Sequence, residues 1–571
     1  MKSKLNIPIK PERNFVSKEL NIDSWSKIQP FFDNLLERKI SSVSELERWM
    51  QDRSELAAVL EEDMAWRYIK MNIDTSDKKL SDNFSFWIKE ISPKMAPYTH
   101  KLNLKLVENK FINNLGEQYK IYIRSIKNSI EIFREENIPL FTEMQAKQQE
   151  YGAIVAKMTI EIDGKNLTMQ QAQVLLKDLD RSKRKEAYIK VQERRFQDIK
   201  VLDDLFDDLI KLRKKIAKNA GFLNYRDYMF SSMGRFDYSV NDCYDFHESI
   251  KNEIVPIISS FEEERKIKLG YDNYKAWDTA VDVDGLKPLN PFNGEEELTN
   301  LTVKCFEKLK PYFGECIAIM SEMGHLDLES KKGKAPGGFM YPLYEIGVPF
   351  IYMNAVGTQR DLVTMLHEGG HAIHSFLSRD LKLTEFKSTP SEVAELASMS
   401  MELISMKHWD IFYQNNEELK RAKKEQLVKA LEGLPWIAAI DKFQHWIYTN
   451  EHTSEERKNK WLEINSEFGN KIIDWSGQEK YLEILWQKQL HLYEVPFYYI
   501  EYGMAQLGAI AIWREFILNE DKAIDNYIKS LKLGYTKSIS EIYETAGVRF
   551  NFSRNYVKEL ASFIKSEINN L

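Results

Sequence analysis

Apolar residues recur at helical spacing along most of this chain, and little interrupts them: 571 residues contain only 16 prolines and 24 glycines. Segments such as Ser42 to Leu60 and Met169 to Ala187 place apolar side chains at i, i+3 and i+4 amid Glu and Lys, which is the pattern of amphipathic helices. The expected fold class is therefore mainly α. A charged stretch from Arg181 to Asn219 contains no proline and ends at Gly221; it reads as one or two long helices joining two helical lobes. The length allows several domains or one large unit. With 43% hydrophobic and 12% aromatic residues there is ample apolar surface to bury, which excludes the disordered class.

Charge and cysteine usage narrow the partners. Lys and Arg total 80 against 87 Asp and Glu, a net charge of -7, so no overall basic field recruits nucleic acid or anionic lipid. Cys243, Cys305 and Cys316 are sparse and odd in number, which argues for buried thiols in a reducing compartment. The N-terminal residues from Met1 to Pro8 carry positive charge but no apolar signal-peptide core. The longest apolar run, about Met504 to Trp513, is interrupted by Gln506 and falls short of the ~20 residues that span a bilayer. Cytoplasmic residence without a membrane partner is expected.

Two stretches depart from helical character. From Leu328 to Tyr341 the cluster Lys331, Lys332, Gly333, Lys334, Pro336, Gly337 and Gly338 predicts a mobile loop. The next stretch, Val348 to Asn354, is β-branched and aromatic with Pro349 near its start. It predicts a short strand, either at a sheet edge where an extended peptide could pair with it or within the core.

The segment DLVTMLHEGGHAIHSFL, Asp361 to Leu377, predicts a buried helix, because Leu362, Met365, Leu366, Ala372, Ile373 and Phe376 leave it few polar positions. Within it His367, Glu368 and His371 form H-E-x-x-H, whose i, i+4 histidines share one face and suit one tetrahedral Zn²⁺. Glu368 lies about 100° around the helix from His367, where its carboxylate reaches a water at the metal without taking a coordination position. Gly369 and Gly370 each cost about 1 kcal/mol against Ala in a helix interior, so close approach by another backbone or a substrate explains them better than stability does. His374 sits two turns from His367, too far to share its metal comfortably, and reads as packing or as a hydrogen-bond partner behind the ligands.

A catalytic zinc needs a third protein ligand and an open position. Thr389-Pro390-Ser391-Glu392 reads as a capping box that opens a helix running through EVAELASMSMELI. Glu392, Glu395 and Glu402 compete as ligand. Glu392 is drawn to the cap, and Glu395 sits one turn inward among Val393, Leu396, Ala397 and Met399, which makes it the better ligand. Glu402 is either a surface charge or the acceptor that fixes the tautomer of a ligating histidine. The aromatic cluster from His491 to Gly503, HLYEVPFYYIEYG, reads as core packing, or as a source of Tyr and His donors to a developing oxyanion.

HEGGHAIHSF, followed 24 residues beyond its second His by Glu395 within Ala394-Glu395-Leu396-Ala397-Ser398, resembles the thimet oligopeptidase and oligoendopeptidase F family of zinc metallopeptidases. It is most similar to the oligoendopeptidase F and Pz-peptidase branch. The likeness extends to Gly337-Gly338-Phe339, Pro349-Phe350-Ile351, Gly234-Arg235-Phe236-Asp237-Tyr238, Ala276-Trp277-Asp278 and His491 to Tyr502, covering about residues 10 to 560. The resemblance implies two helical lobes around a deep substrate channel, zinc on the channel wall and cleavage of short, unstructured peptides. It implies His367, His371 and Glu395 as zinc ligands, Glu368 as general base, and His491 with Tyr498 or Tyr502 as transition-state donors. The full expectation is a cytoplasmic zinc endopeptidase holding one Zn²⁺ per chain, with an N-terminal helical lobe over 1–200, a catalytic domain over 201–571 and a small β-sheet beside the zinc site.

Overall fold

A computed structural model describes residues 5–571. The chain is mainly helical, as its spacing requires, and divides into two compact units that interleave along the sequence. Of the described residues, the first comprises 5–135, 289–424 and 505–550, and the second 136–288, 425–504 and 551–571. The expected division at residue 200 is a single cut along the sequence, whereas each compact unit is assembled from three segments.

In the first unit, the helix Val43–Ile73 opens at Ser42, whose hydroxyl accepts the Glu45 N–H. Its Leu46, Trp49, Leu56 and Val59 pack with Ile28, Phe32 and Leu35 of Trp25–Glu37 into a continuous core. The Trp49 indole N–H donates to the Leu35 carbonyl at 2.9 Å, so a large apolar side chain is buried without leaving its polar atom unmet.

The same unit holds a three-stranded sheet. Phe350–Ala355 is its central strand, paired parallel to Leu326–Glu329 and antiparallel to Phe339–Tyr341. The edge reading of Val348 to Asn354 is therefore corrected: Pro349 precedes the strand, so it removes no ladder hydrogen bond, and the free edges belong to the outer strands. The loop before it is also better fastened than its composition predicts. The Lys334 side chain is buried, and its ammonium donates to the carbonyls of Asp327, Glu329 and Met353 and to the Asp327 carboxylate while lying 4.5 Å from the Tyr352 ring centroid. Asn354 Nδ2 adds bonds to the Ala335 and Gly337 carbonyls at 2.7 and 2.9 Å.

The second unit contains Arg181–Gln197 and Ile199–Asn219, two helices that meet at Asp198. Both lie inside this unit, so the expectation that they join two lobes is not met. Met169 to Ala187 is likewise not one helix. It breaks after Met169–Leu175 and restarts at Asp180, whose carboxylate accepts the Ser182 N–H. Asp278 is fully buried and accepts from Arg181 Nε and Nη2, Arg184 Nη2 and the Lys275 main-chain N–H at 2.7–3.0 Å. Among the described residues no helix is long and apolar enough to cross a membrane, and all three cysteines are buried.

Removing one member of a buried charge pair strands its partner, a loss of about 3–5 kcal/mol. Asp278→Ala should lower the stability of the second unit by that order, read as an earlier urea unfolding midpoint with the slope unchanged. A midpoint equal to wild type would show that solvent reaches Arg184.

Candidate metal centre

The H-E-x-x-H segment lies on the helix Gln359–Ser378, as its periodicity predicts. Thr358 caps it: the hydroxyl accepts the Asp361 N–H while the Asp361 carboxylate accepts the Thr358 N–H at 2.9 Å. The partner helix is Ser391–Ile404. Its start differs from the expected capping box by one residue: Pro390 occupies the N-cap position with extended backbone, and no side chain caps the helix. Glu392 is buried in its first turn, and its carbonyl accepts the Tyr543 hydroxyl at 2.9 Å.

Gly370 is where these helices touch. A Cβ at this position would stand 2.7 Å from Ser398 Cα and 2.9 Å from the Ala397 carbonyl oxygen, and at Gly369 it would meet the Phe306 ring at 2.7 Å. One glycine thus admits another backbone and the other an aromatic ring. The contact brings Glu395 under the histidines: its Oε2 lies 3.3 Å from His367 Nε2 and 3.6 Å from His371 Nε2. His367, His371 and Glu395 each offer one ligand atom, and these atoms all fall within 4.8 Å of one another.

The surrounding groups hold these three in place. Glu402 Oε1 lies 2.7 Å from His367 Nδ1, so Nδ1–H donates to the carboxylate and Nε2 is turned toward Glu395. Of the two readings open for Glu402, the structure selects the hydrogen-bonding one. Ser398 Oγ donates to Glu395 Oε2 at 3.1 Å. Sequence reasoning missed this serine, although its i+3 spacing from Glu395 placed it on the same helix face. His374 is buried, and its Nε2 has no hydrogen-bond partner; burial pulls its pKa down to about 3, so it packs as a neutral ring.

The donor chemistry fits a divalent cation. Burial disfavours charge on Glu395, but His371, His367 and Ser398 outweigh it and hold the carboxyl at about 2. Burial pulls His371 down to about 4, leaving its imidazole neutral and able to coordinate. Burial acts the same way on His367, but there Glu395 and Glu402 prevail and raise its pKa well above the ordinary value. That imidazolium supplies the positive charge between two carboxylates which a bound cation would supply instead. Glu368 is buried beside this cluster, where burial pushes its carboxyl up to about 7 against a smaller opposing pull from the Met340 main chain. Met340 belongs to the outer strand Phe339–Tyr341, so the small sheet does adjoin the motif.

The aromatic cluster belongs to the second unit. His491 is flanked by Tyr499, Tyr502 and Tyr498 at ring-centroid separations of 4.6, 5.9 and 6.0 Å. Trp436 Nε1–H donates to Gln489 Oε1 at 2.8 Å, so Gln489 presents its amide nitrogen to His491 Nδ1 at 2.6 Å and leaves the ring proton on Nε2. Gln489 is a second residue that sequence reasoning passed over, because nothing local marks an amide two positions from a histidine. The turn before the tyrosines is held in a strained conformation: Phe497 has φ 70°, unusual for a non-glycine residue. Its N–H donates to Gln444 Oε1 at 2.6 Å, its carbonyl accepts from Arg235, and Arg235 also pairs with Glu501 at 2.9 Å.

Residues 174–562 match the family described as Peptidase family M3, and residues 15–133 match the Peptidase M3 N-terminal domain. The chain belongs to peptidase family M3. It is similar to an oligoendopeptidase F homolog of Borreliella burgdorferi, 25% identical over 68% of this chain and 65% of the relative, and to the oligopeptidase PepF of Bacillus subtilis, 25% identical over 44% and 38%. These matches therefore take in less than two thirds of the relatives' own lengths. Among solved structures, Pz peptidase A with an inhibitor superposes with a TM-score of 0.91 at 26% identity, covering 98% of this chain and 99% of that one. A putative oligoendopeptidase F from Bacillus anthracis gives 0.86 at 24% identity, covering 98% and 99%.

Alanine at position 370 would gain about 1 kcal/mol of helix propensity, but overpacking against backbone costs about 1–3 kcal/mol and pushes the helix bearing Glu395 away. Gly370→Ala should therefore lower both bound metal and the thermal midpoint; wild-type values for both would show that the helices can separate without disturbing the ligands. Glu402→Ala should weaken metal binding about 10–100-fold, measured by chelator competition, while the fold persists by circular dichroism. Unchanged affinity would reduce the Glu402 contact to an ordinary ion pair.

Proposed function

We propose that this protein is a zinc-dependent endopeptidase that hydrolyses short oligopeptides. The observation that carries the reading is the convergence of His367, His371 and Glu395 from two helices, with Glu368 buried alongside. His₂Glu is a ligand set of catalytic zinc in peptidases, where the metal when bound lowers the pKa of water and polarises the scissile carbonyl. One Zn²⁺ at these three residues serves the reaction.

The chain's own residues divide the remaining work. Glu368 takes the proton of the attacking water and returns it to the leaving amine, a transfer worth about 10²–10⁴ in rate. Its location one residue from a ligand keeps it next to the site without using one of the ligand positions. Glu402 and Ser398 orient His367 and Glu395. His491 Nε2–H, with Tyr498 or Tyr502, donates to the developing oxyanion. With Phe350–Ala355 in the middle of its sheet, backbone alignment of an extended substrate passes to the outer strand Phe339–Tyr341. All these residues fall within 201–571, the proposed catalytic region, while 1–200 contributes helices to both compact units. Substrates are short peptides, with neither nucleic acid nor membrane as partner, and the working compartment is the cytoplasm.

Two measurements test the reading. Digestion of peptides blocked at both ends, analysed by mass spectrometry, should give internal cuts that stop when zinc is chelated and resume when it is restored. Release of terminal residues alone, requiring free ends, would make the protein an exopeptidase. Glu368→Gln should keep the metal yet lose about 10²–10⁴ in kcat, whereas turnover equal to wild type would remove Glu368 from the proton transfers.

A further inference from the structure

A second constellation of metal-binding side chains lies in the other compact unit, away from the H-E-x-x-H helix in sequence and independent of the reading above. The helix Val240–Ser249 carries Cys243 and His247, and the helix Asn416–Thr449 carries Asp441 and His445. Each pair is spaced i, i+4, so each helix presents two ligand-type side chains on one face, one turn apart. All four residues are buried, with 0–3% of their surface exposed. Ligand atoms of Cys243, Asp441 and His445 lie within 4.8 Å of one another.

The hydrogen-bond pattern around this cluster is incomplete in a way that points to a cation. His247 Nε2–H donates to Asp441 Oδ2 at 2.8 Å, which leaves Asp441 Oδ1 buried without a hydrogen-bond partner. His445 Nε2 stands 3.2 Å from Asp441 Oδ2 without the angle of a hydrogen bond, and neither of its ring nitrogens has a hydrogen-bond partner. Buried polar atoms are rarely left unmet. Two atoms brought this close without a bond between them are arranged like His371 Nε2 and Glu395 Oε2, which face a common point at 3.6 Å. The rings of Phe230, Tyr244 and Phe497 surround His445 at 5.1–6.0 Å, so water has little access to satisfy these atoms.

We propose that Cys243, Asp441 and His445 bind a second divalent cation, of the zinc class, with His247 fixing the Asp441 carboxylate from behind. Thiolate, imidazole and carboxylate together select zinc over magnesium or calcium, which take oxygen ligands. The two negative ligands balance its charge. Complete burial closes this site to substrate, unlike a catalytic one. It joins two helices of the unit directly behind the Phe497 turn: Gln444, between Asp441 and His445 in sequence, accepts the Phe497 N–H, and the Phe497 ring meets His445 edge-on at 5.5 Å. The cation thereby braces the turn that sets Tyr498 and Tyr499.

The experiment is metal stoichiometry and cobalt spectroscopy on the full-length protein after dialysis against zinc or cobalt(II) and removal of loosely bound ion. Wild type should retain two equivalents per chain. The cobalt form should show a thiolate-to-cobalt charge-transfer band, which His367, His371 and Glu395 cannot produce because they contain no sulfur. His371→Ala with Glu395→Ala should remove one equivalent and leave the band; Cys243→Ala should remove the other equivalent and abolish it. X-ray absorption of the wild-type zinc form should detect sulfur at about 2.3 Å, so the proposal stays testable if the Cys243 variant fails to fold. One equivalent in wild type with no thiolate band, or a band that survives Cys243→Ala, would overturn it. Failure of the double variant to lose metal would count against the H-E-x-x-H site and leave this one standing.

Discussion

The close contact between Gln359–Ser378 and Ser391–Ile404 at Gly370 is the constraint on which the metal centre depends. A single helix can offer two imidazoles at i, i+4, but it has no third position at comparable reach. The third ligand must arrive from another helix, and a short carboxylate such as Glu395 arrives only if the two backbones nearly touch. Glycine permits this at the expense of helix propensity, because tight interior packing leaves no slack to absorb a methyl group. The receiving helix is also held by two tyrosines: Tyr527 donates to the Ala397 carbonyl at 2.7 Å and Tyr543 to that of Glu392. Gly508 repeats the device one layer out, since a Cβ there would meet Tyr543 and Leu396 at 2.6 and 2.7 Å.

What the sequence disclosed about the site follows from the range of the interactions involved. His367, Glu368 and His371 were legible because their relation is set by the pitch of one helix. Glu395 was legible because an acidic residue amid Val393, Leu396 and Ala397 demands a partner. Glu402 stayed open between two readings, since its exposure depends on what stands opposite, and that neighbour is 35 residues away. The capping box failed by one position because Pro390 is compatible with either the last extended or the first helical residue. The central place of Phe350–Ala355 was hidden because one partner strand, Leu326–Glu329, is charged at two of its four positions and gives little strand signal. Lys334 illustrates the same limit. A lysine set between Gly333 and the Pro336-Gly337 pair reads as a surface loop until the carbonyls that surround it are known.

Several stretches that resemble the family outside the motif act through buried charge. Asp278 holds Arg181 and Arg184, and Arg235 holds Phe497 and Glu501. Neither contact involves the metal ligands. These side chains fix turns and helix ends whose geometry would otherwise be soft, and a partner's loss would leave the remaining charge buried alone. Their likeness to family sequences is thus explained by the positions they impose on the chain, with Phe497 the clearest case. Its left-handed backbone persists because donors and acceptors grip it on both sides.

Exposure separates the two clusters of ligand-type residues. The side chains of His367 and His371 remain 19% and 14% exposed, while Asp441 and His445 fall to 0% and 3%. A catalytic ion must keep a coordination position open to water and substrate, and so needs ligands that solvent can reach from one side. The buried cluster offers no such approach and is closed to substrate. Each cluster draws two ligands from an i, i+4 pair on one helix and the third from another helix. In the first, the imidazoles stay partly in solvent; in the second, aromatic rings close over them. The same local spacing therefore serves either role, and the packing around it decides which chemistry is available.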